Sequence, residues 1–180
     1  MLVLHAMLLI ATLFDSAPQN IYSDGWNKKS TLTTTEPVEI PGMVLEPGTY
    51  IIKLEEGSSR RNIIQVLSED GSKLLTRLTA MPDYRTHEND SPFTFHKMPG
   101  NGPQALQSWY YPGDLNGLEF VYPKDRARQI AKATECHVMA SNGKEARDSA
   151  ILAVTPTGVE VVIDDGPKKE TEVARQKPKP

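Results

Sequence analysis

The chain of 180 residues has one cysteine, Cys136. No disulfide can close within it, and a chain this long buries enough surface to fold without a staple. It has no excess charge of either sign: Lys and Arg number 20, Asp and Glu 23, interspersed to a net charge of -3. A nucleic-acid footprint needs a basic face to neutralise phosphates, so that partner is not expected. It has no second long apolar run after Phe14, which argues against an integral membrane protein. It lacks a G-x-S-x-G elbow that would strain and expose a nucleophile. Gly100-Asn101-Gly102 is broken by Pro103 and precedes no helix, so it reads as a turn and not a phosphate loop. No cofactor is expected.

The one apolar run, Leu2 to Phe14 (LVLHAMLLIATLF), is thirteen residues long. That is too short to span a bilayer and suits the apolar region of a signal peptide. No Lys or Arg precedes it, and Asp15-Ser16-Ala17 followed by Pro18 is a poor small-residue cleavage site. The run predicts an exported protein, periplasmic or secreted, with a leader over residues 1–25. The competing reading makes it a buried helix or strand of the domain.

Proline and glycine are plentiful, 14 and 12, and spread along the chain, as suits many turns and few long helices. The organising stretch is Glu36 to Glu56, where Pro41-Gly42 and Pro47-Gly48 punctuate apolar runs and Tyr50, Ile52 and Leu54 alternate with Ile51 and Lys53. A first strand is expected over Ser30 to Thr35. Asn62 to Leu67 and Lys73 to Ala80 flank an Asp70-Gly71 turn and predict a hairpin. Pro82 to Ser91 is polar and reads as a loop. Phe93 to His96, Ala105 to Tyr111 and Leu118 to Tyr122 predict further strands. No βαβ rhythm is visible, and one short helix is expected over Lys124 to Glu135, with Ala127, Ile130, Ala131 and Thr134 on its buried face. The expected fold is all-β, an antiparallel β-sandwich or open barrel of about seven strands, with its domain over 26–135. Residues 136–180 form an extension, with a hairpin from Ile151–Val154 to Val159–Ile163 and a tail of disordered composition from Asp164.

The segments EPVEIPGMVLEPGTYIIKL and ALQSWYYPGDLNGLEFVYPKDRARQIAKAT carry the patterns PGxVLxPGTYxxKL (from Pro41) and WxYPGDxxGxEFVYPK (from Trp109). In these the chain resembles a family of small, exported bacterial proteins of unknown function, over about Trp26 to Thr134. The LxPGTY turn is also similar to that of a second uncharacterised bacterial β-sandwich family. The resemblance implies a signal peptide, a β-rich domain and a short tail, and brings no catalytic residues.

His87 and His96, with Asp83, Glu88 and Asp90 close by in sequence, are the one grouping whose residue types suit a metal, although their spacing matches no standard ligand motif. Cys136 beside His137 reads as a half-buried thiol, since sequence neighbours point apart. Trp109, Tyr110 and Tyr111 cannot all face the core from one strand, so a ring is expected on the second face, free for a ligand unless covered by the helix or a neighbouring sheet. With Asp114 in the following turn they form the expected ligand site. No catalytic residue is assigned. The chain reads as a non-enzymatic binding or structural module of the bacterial envelope, its partner an envelope protein or a carbohydrate. The rival is a hydrolase or metal-dependent enzyme with a site around Asp83 to His96.

Overall fold

The computed structural model describes residues 28–55, 62–87, 91–111, 114–143 and 149–164. The leader, the tail beyond Asp164, the Pro112-Gly113 turn, and Glu88 and Asp90 lie outside the described residues.

In the organising stretch, β2 (Val38–Ile40) and β3 (Met43–Leu45) form a hairpin whose two-residue link is Pro41-Gly42. Proline presets the first backbone angle, and Gly42 supplies φ +85°, which side-chain-bearing residues rarely adopt. The chain then runs through β4 (Gly48–Leu54), which pairs antiparallel with β1 (Lys29–Thr34) and β5 (Asn62–Ser68). The expected Asp-Gly hairpin joins β5 to β6 (Leu74–Tyr84). Asp70 holds that turn: its carboxylate accepts from Ser68 Oγ at 2.6 Å, from Ser72 N at 3.0 Å and from Ser72 Oγ at 2.7 Å. Those bonds lower its pKa to about 2.

β6 is longer than expected. It pairs with β5 as far as Ala80, and from Ala80 to Tyr84 it pairs with β9 (Asn116–Phe120). Pro82, Asp83 and Tyr84 therefore belong to a strand, not to a loop. Over these residues β6 has a partner on one side only among the described residues, so the missing N–H of Pro82 breaks no ladder. The sheet continues through β8 (Gln104–Tyr110) to β2, which joins β8 in parallel, and β7 (Phe93–His96) pairs with β8. β1 and β8 lie far apart in this order, yet Trp109 Nε1 donates to Ser30 Oγ at 2.9 Å. The nine-stranded sheet thus curls its ends toward one another around the core. The bond satisfies an indole donor whose unpaired burial would cost about 1–3 kcal/mol.

A smaller sheet runs β10 (Tyr122–Pro123), β11 (Val138–Ser141), β12 (Ile151–Val154) and β13 (Glu160–Asp164). The last two strands are the expected hairpin. β10 and β11 are parallel and are joined by α1 (Lys124–Thr134), so the chain does contain one βαβ unit. Its first strand is two residues long, too short to carry a period in the sequence. The helix lies where expected and buries Ala127, Ile130 and Ala131. It ends at Glu135, a non-glycine residue at φ +56°.

The architecture is all-β with one short helix and no closed barrel. It has more strands than the seven expected, thirteen among the described residues, because several are only two to four residues long. Ile52, Ile64, Leu106 and Trp109 of the large sheet share one core with Ile130, Val138 and Val154 around the small one. Two polar contacts join the layers. Tyr122 OH donates to Leu106 O at 2.8 Å, with Glu39 O at 3.2 Å, and Arg126 of α1 makes a bidentate pair with Glu39 of β2, both bonds 2.6 Å. No helix among the described residues is long and apolar enough to cross a membrane.

Candidate functional site

Strand alternation sends successive side chains to opposite faces. Where β6, β9 and β8 run side by side, one face takes Leu118, Trp109 and Ala80 into the core. The pairings Asp83 with Gly117, Met81 with Glu119, Ser108 with Glu119 and Tyr110 with Gly117 place Asp83, Ser108, Tyr110 and Glu119 together on the other face.

Gly117 makes this cluster possible. A β-carbon there would fall 2.5 Å from Tyr110 Cδ1 and 2.9 Å from the carbonyl oxygen of Trp109, so the Tyr110 ring lies across the glycine. The guanidinium of Arg85 sits over that ring at 4.5 Å and donates to the carbonyl oxygens of Ser91 at 3.2 Å and Asp114 at 3.1 Å. Held this way, Tyr110 OH donates to Asp83 Oδ2 at 2.5 Å. Ser108 Oγ donates to the same oxygen at 2.7 Å, and Tyr84 N donates to Oδ1 at 2.8 Å. Three donors thus serve the Asp83 carboxylate.

Glu119 is served differently. It is 5 % exposed, and its Oε1 is buried without a hydrogen-bond partner. Burial first, and then the negative charge of Asp83, push its pKa from the ordinary 4.5 up to about 8. The carboxyl therefore keeps its proton at neutral pH. Tyr110 is pushed up to about 12 by burial and by its bond to Asp83. The site holds one hydrogen-bonded carboxylate, one protonated carboxyl with an unused acceptor and one phenol. It can accept hydrogen bonds from a ligand and can gain a full negative charge when Glu119 ionises.

The residues expected from the sequence fall differently. Trp109 is buried in the core and meets Tyr111 edge-on at 5.1 Å. Tyr110 does point to the second face, as alternation requires, yet Gly117 and Arg85 enclose it and it offers no free ring. Tyr111 is half-buried beneath Lys28, whose Nζ is 4.6 Å from its centroid, and burial and then the Asp114 charge raise its pKa to about 12. The expectation of an open aromatic surface is therefore corrected. Asp114 caps the β8–β9 turn, its Oδ1 accepting from Asn116 N at 3.0 Å and Asn116 Nδ2 at 2.8 Å; these bonds lower its pKa.

His96, one of the two histidines expected to suit a metal, is buried at the edge of the Tyr122 ring, with centroids 6.5 Å apart. Burial and then the charge of His137 lower its pKa to about 4, so it stays neutral. His87 is exposed and lies 2.8 Å from Thr86 Oγ1. No group of three or more His, Cys, Asp or Glu side chains that could hold a metal exists among the described residues. Cys136 is exposed and not half-buried.

Of the rival site around Asp83 to His96, Asp83 and Arg85 enter the cluster and neither histidine does. Glu119, Ser108 and Arg85 did not stand out in the sequence. The available signal was Glu119 itself, a single charge within the apolar run Leu118 to Tyr122. Comparison with known proteins finds no matching family model and no significantly similar curated protein or solved structure.

Proposed function

We propose that the chain is a non-enzymatic binding module of the bacterial envelope, exported behind the Leu2–Phe14 leader, that receives a protonated amine between Asp83 and Glu119. The amine would be carried by a lysine of an envelope protein or by an amino sugar. The observation that carries this reading is the buried, unpartnered Oε1 of Glu119 beside a second acidic side chain. A buried acceptor left empty costs free energy that a donor would recover, and a cationic donor also relieves the repulsion between two ionised carboxylates. The all-β fold and the resemblance to small exported proteins support the envelope setting.

Titration calorimetry of the full chain with glucosamine and with the amide of N-acetyl-lysine tests the site. Both are expected to bind and to release a proton at pH 7, because the amine forces Glu119 to ionise. Their neutral counterparts, N-acetylglucosamine and the amide of N-acetyl-norleucine, are expected to bind at least about tenfold more weakly, the usual cost of one lost charged hydrogen bond. Equal binding of the neutral pair, or binding of neither amine at millimolar concentration, would overturn the assignment. The export half is tested separately by N-terminal sequencing of protein recovered from the periplasm and medium of a bacterial host. A mature chain is expected to begin between Ala17 and Trp26, and an uncleaved cytoplasmic chain would remove export from the reading.

A second reading rests on the same pair. Two carboxyl groups, one hydrogen-bonded and one held protonated by burial, are the arrangement that separates a base from an acid. Sustained turnover of chromogenic esters or glycosides, lost in Asp83→Asn, would favour a hydrolase over the binding module.

A further inference from the structure

Eight large apolar side chains are exposed among the described residues, and four of them, Val159, Val161, Val162 and Ile163, fall within one five-residue stretch at 49–56 % exposure. The last three lie on β13, which pairs only with β12 and closes the small sheet among the described residues. The two ends of the large sheet's strand order are guarded. β1 sends Lys29, Thr31 and Thr33 outward, and β3 is only three residues long. β13 contains no lysine, proline or glycine, and its one irregularity is the bulge that leaves Ile163 without a partner on β12.

Register decides how the stretch can be covered. Val162 lies opposite Leu152 and Val161 opposite Ala153, so the exposed valines belong to opposite faces of the sheet. A partner lying on one face would leave the other wet. A strand added along the edge supplies side chains on both faces at once and pairs the free backbone groups of β13.

We propose that β13 pairs antiparallel with β13 of a second copy of the chain, about a two-fold axis at Val162. That register sets Val162 against Val162 and Val161 against Ile163. It also sets Glu160 against Asp164, a like-charge contact if nothing else stood there. In each copy, however, Glu160 is held by Lys124 at 2.7 Å and by Arg128. Each end of the paired strands therefore sets Glu160 and Asp164 of the two copies around Lys124 and Arg128, with the solvent-exposed Asp125 3.3 Å from Arg128 at its margin. This charge complementarity, together with the palindromic order acid, three apolar residues, acid, selects a second copy over an unrelated peptide. A five-residue edge buries well under the area of a permanent dimer, about 1,000 Å² or less in total, the size of weak and transient contacts, and a dissociation constant in the micromolar range is the expected result.

Sedimentation of the full chain, from about 1 µM to about 500 µM to span that range, is expected to show a reversible monomer–dimer equilibrium. Val162→Lys is expected to weaken it at least about tenfold while leaving the urea midpoint unchanged, since Val162 is half exposed in the monomer. In a Cys136→Ser background, Val162→Cys is expected to give a disulfide-linked dimer on mild oxidation. A monomer at every concentration, association indifferent to Val162→Lys, or cross-linking at Val161→Cys but not at Val162→Cys would overturn the proposal.

Discussion

Glu119→Gln is expected to make the fold more stable at pH 8, by a few kcal/mol, and to remove its fall in stability toward alkaline pH. In the folded chain Glu119 titrates near 8, against 4.5 for an unperturbed glutamate. Between those values the native state binds a proton that the unfolded state has released. Stability contributed by a carboxyl of raised pKa is fully present below the unfolded value and is lost as pH rises through the folded one. The contribution of Glu119 to wild-type stability should therefore fall between about pH 4.5 and pH 8, by an amount of order 3–5 kcal/mol for a shift of this size. His96, whose pKa is lowered to about 4, works the other way and adds stability as pH rises to about 6.5, so the net fall should show above that pH. The amide keeps the shape of the protonated carboxyl and cannot ionise, so the falling limb should vanish in the variant and leave the rise that His96 contributes below about pH 6.5. Urea unfolding at a series of pH values reads both quantities. Parallel profiles for wild type and variant would show that Glu119 is not the group that takes up the proton.

Gly117→Ala is the other substitution with a large expected effect, and it acts through geometry alone. The new methyl would stand 2.5 Å from Tyr110 Cδ1 and 2.9 Å from the Trp109 carbonyl oxygen. The ring can swing away, but the backbone oxygen cannot. Overpacking of this kind costs about 1–3 kcal/mol, and the lost hydrogen bond from Tyr110 to Asp83 adds about 1 kcal/mol more. The displaced phenol also provides a readout that a general loss of stability would not. Tyr110 is raised to about 12 by burial and by Asp83, and a ring swung into solvent should titrate near the usual 10, visible in the ultraviolet absorbance of the folded variant. Stability equal to wild type with Tyr110 still titrating near 12 would mean that the glycine is not what seats the ring.

These two residues also show where sequence pattern stops being informative. The β5–β6 hairpin was legible because an Asp-Gly turn sits between two apolar runs, and the helix over Lys124–Thr134 because its buried alanines and isoleucine recur at helical spacing. Both signals are local. The strand character of Pro82-Asp83-Tyr84 was hidden because a proline and two polar side chains look like a loop, and only the one-sided pairing with β9 makes them a tolerable strand. Alternation correctly sent Trp109 and Tyr110 to opposite faces. What covers Tyr110, however, comes from Gly117 on the neighbouring strand and Arg85 at the end of another, a tertiary fact with no trace in the run ALQSWYY. Glu119 was passed over because a lone charge in an alternating strand normally faces water, and here that face is closed. His96 is buried for a reason the sequence pattern does not carry: the register shifts between Thr94 and Phe95, which breaks the alternation of β7 and lets Phe93 and His96 both turn inward.

The change of partner in β6 at Ala80 also bears on how anything reaches so enclosed a carboxyl. Residues 74–80 are locked into the β5 ladder, whereas 81–84 hang from β9 alone among the described residues. A strand end held on one side opens at a lower free energy than the body of the sheet, and it does so without global unfolding. Asp83 rides on that segment. Each local opening would carry it away from Ser108 and Tyr110, and under the binding proposed above the strand end would then act as a gate whose opening frequency limits how fast the site fills.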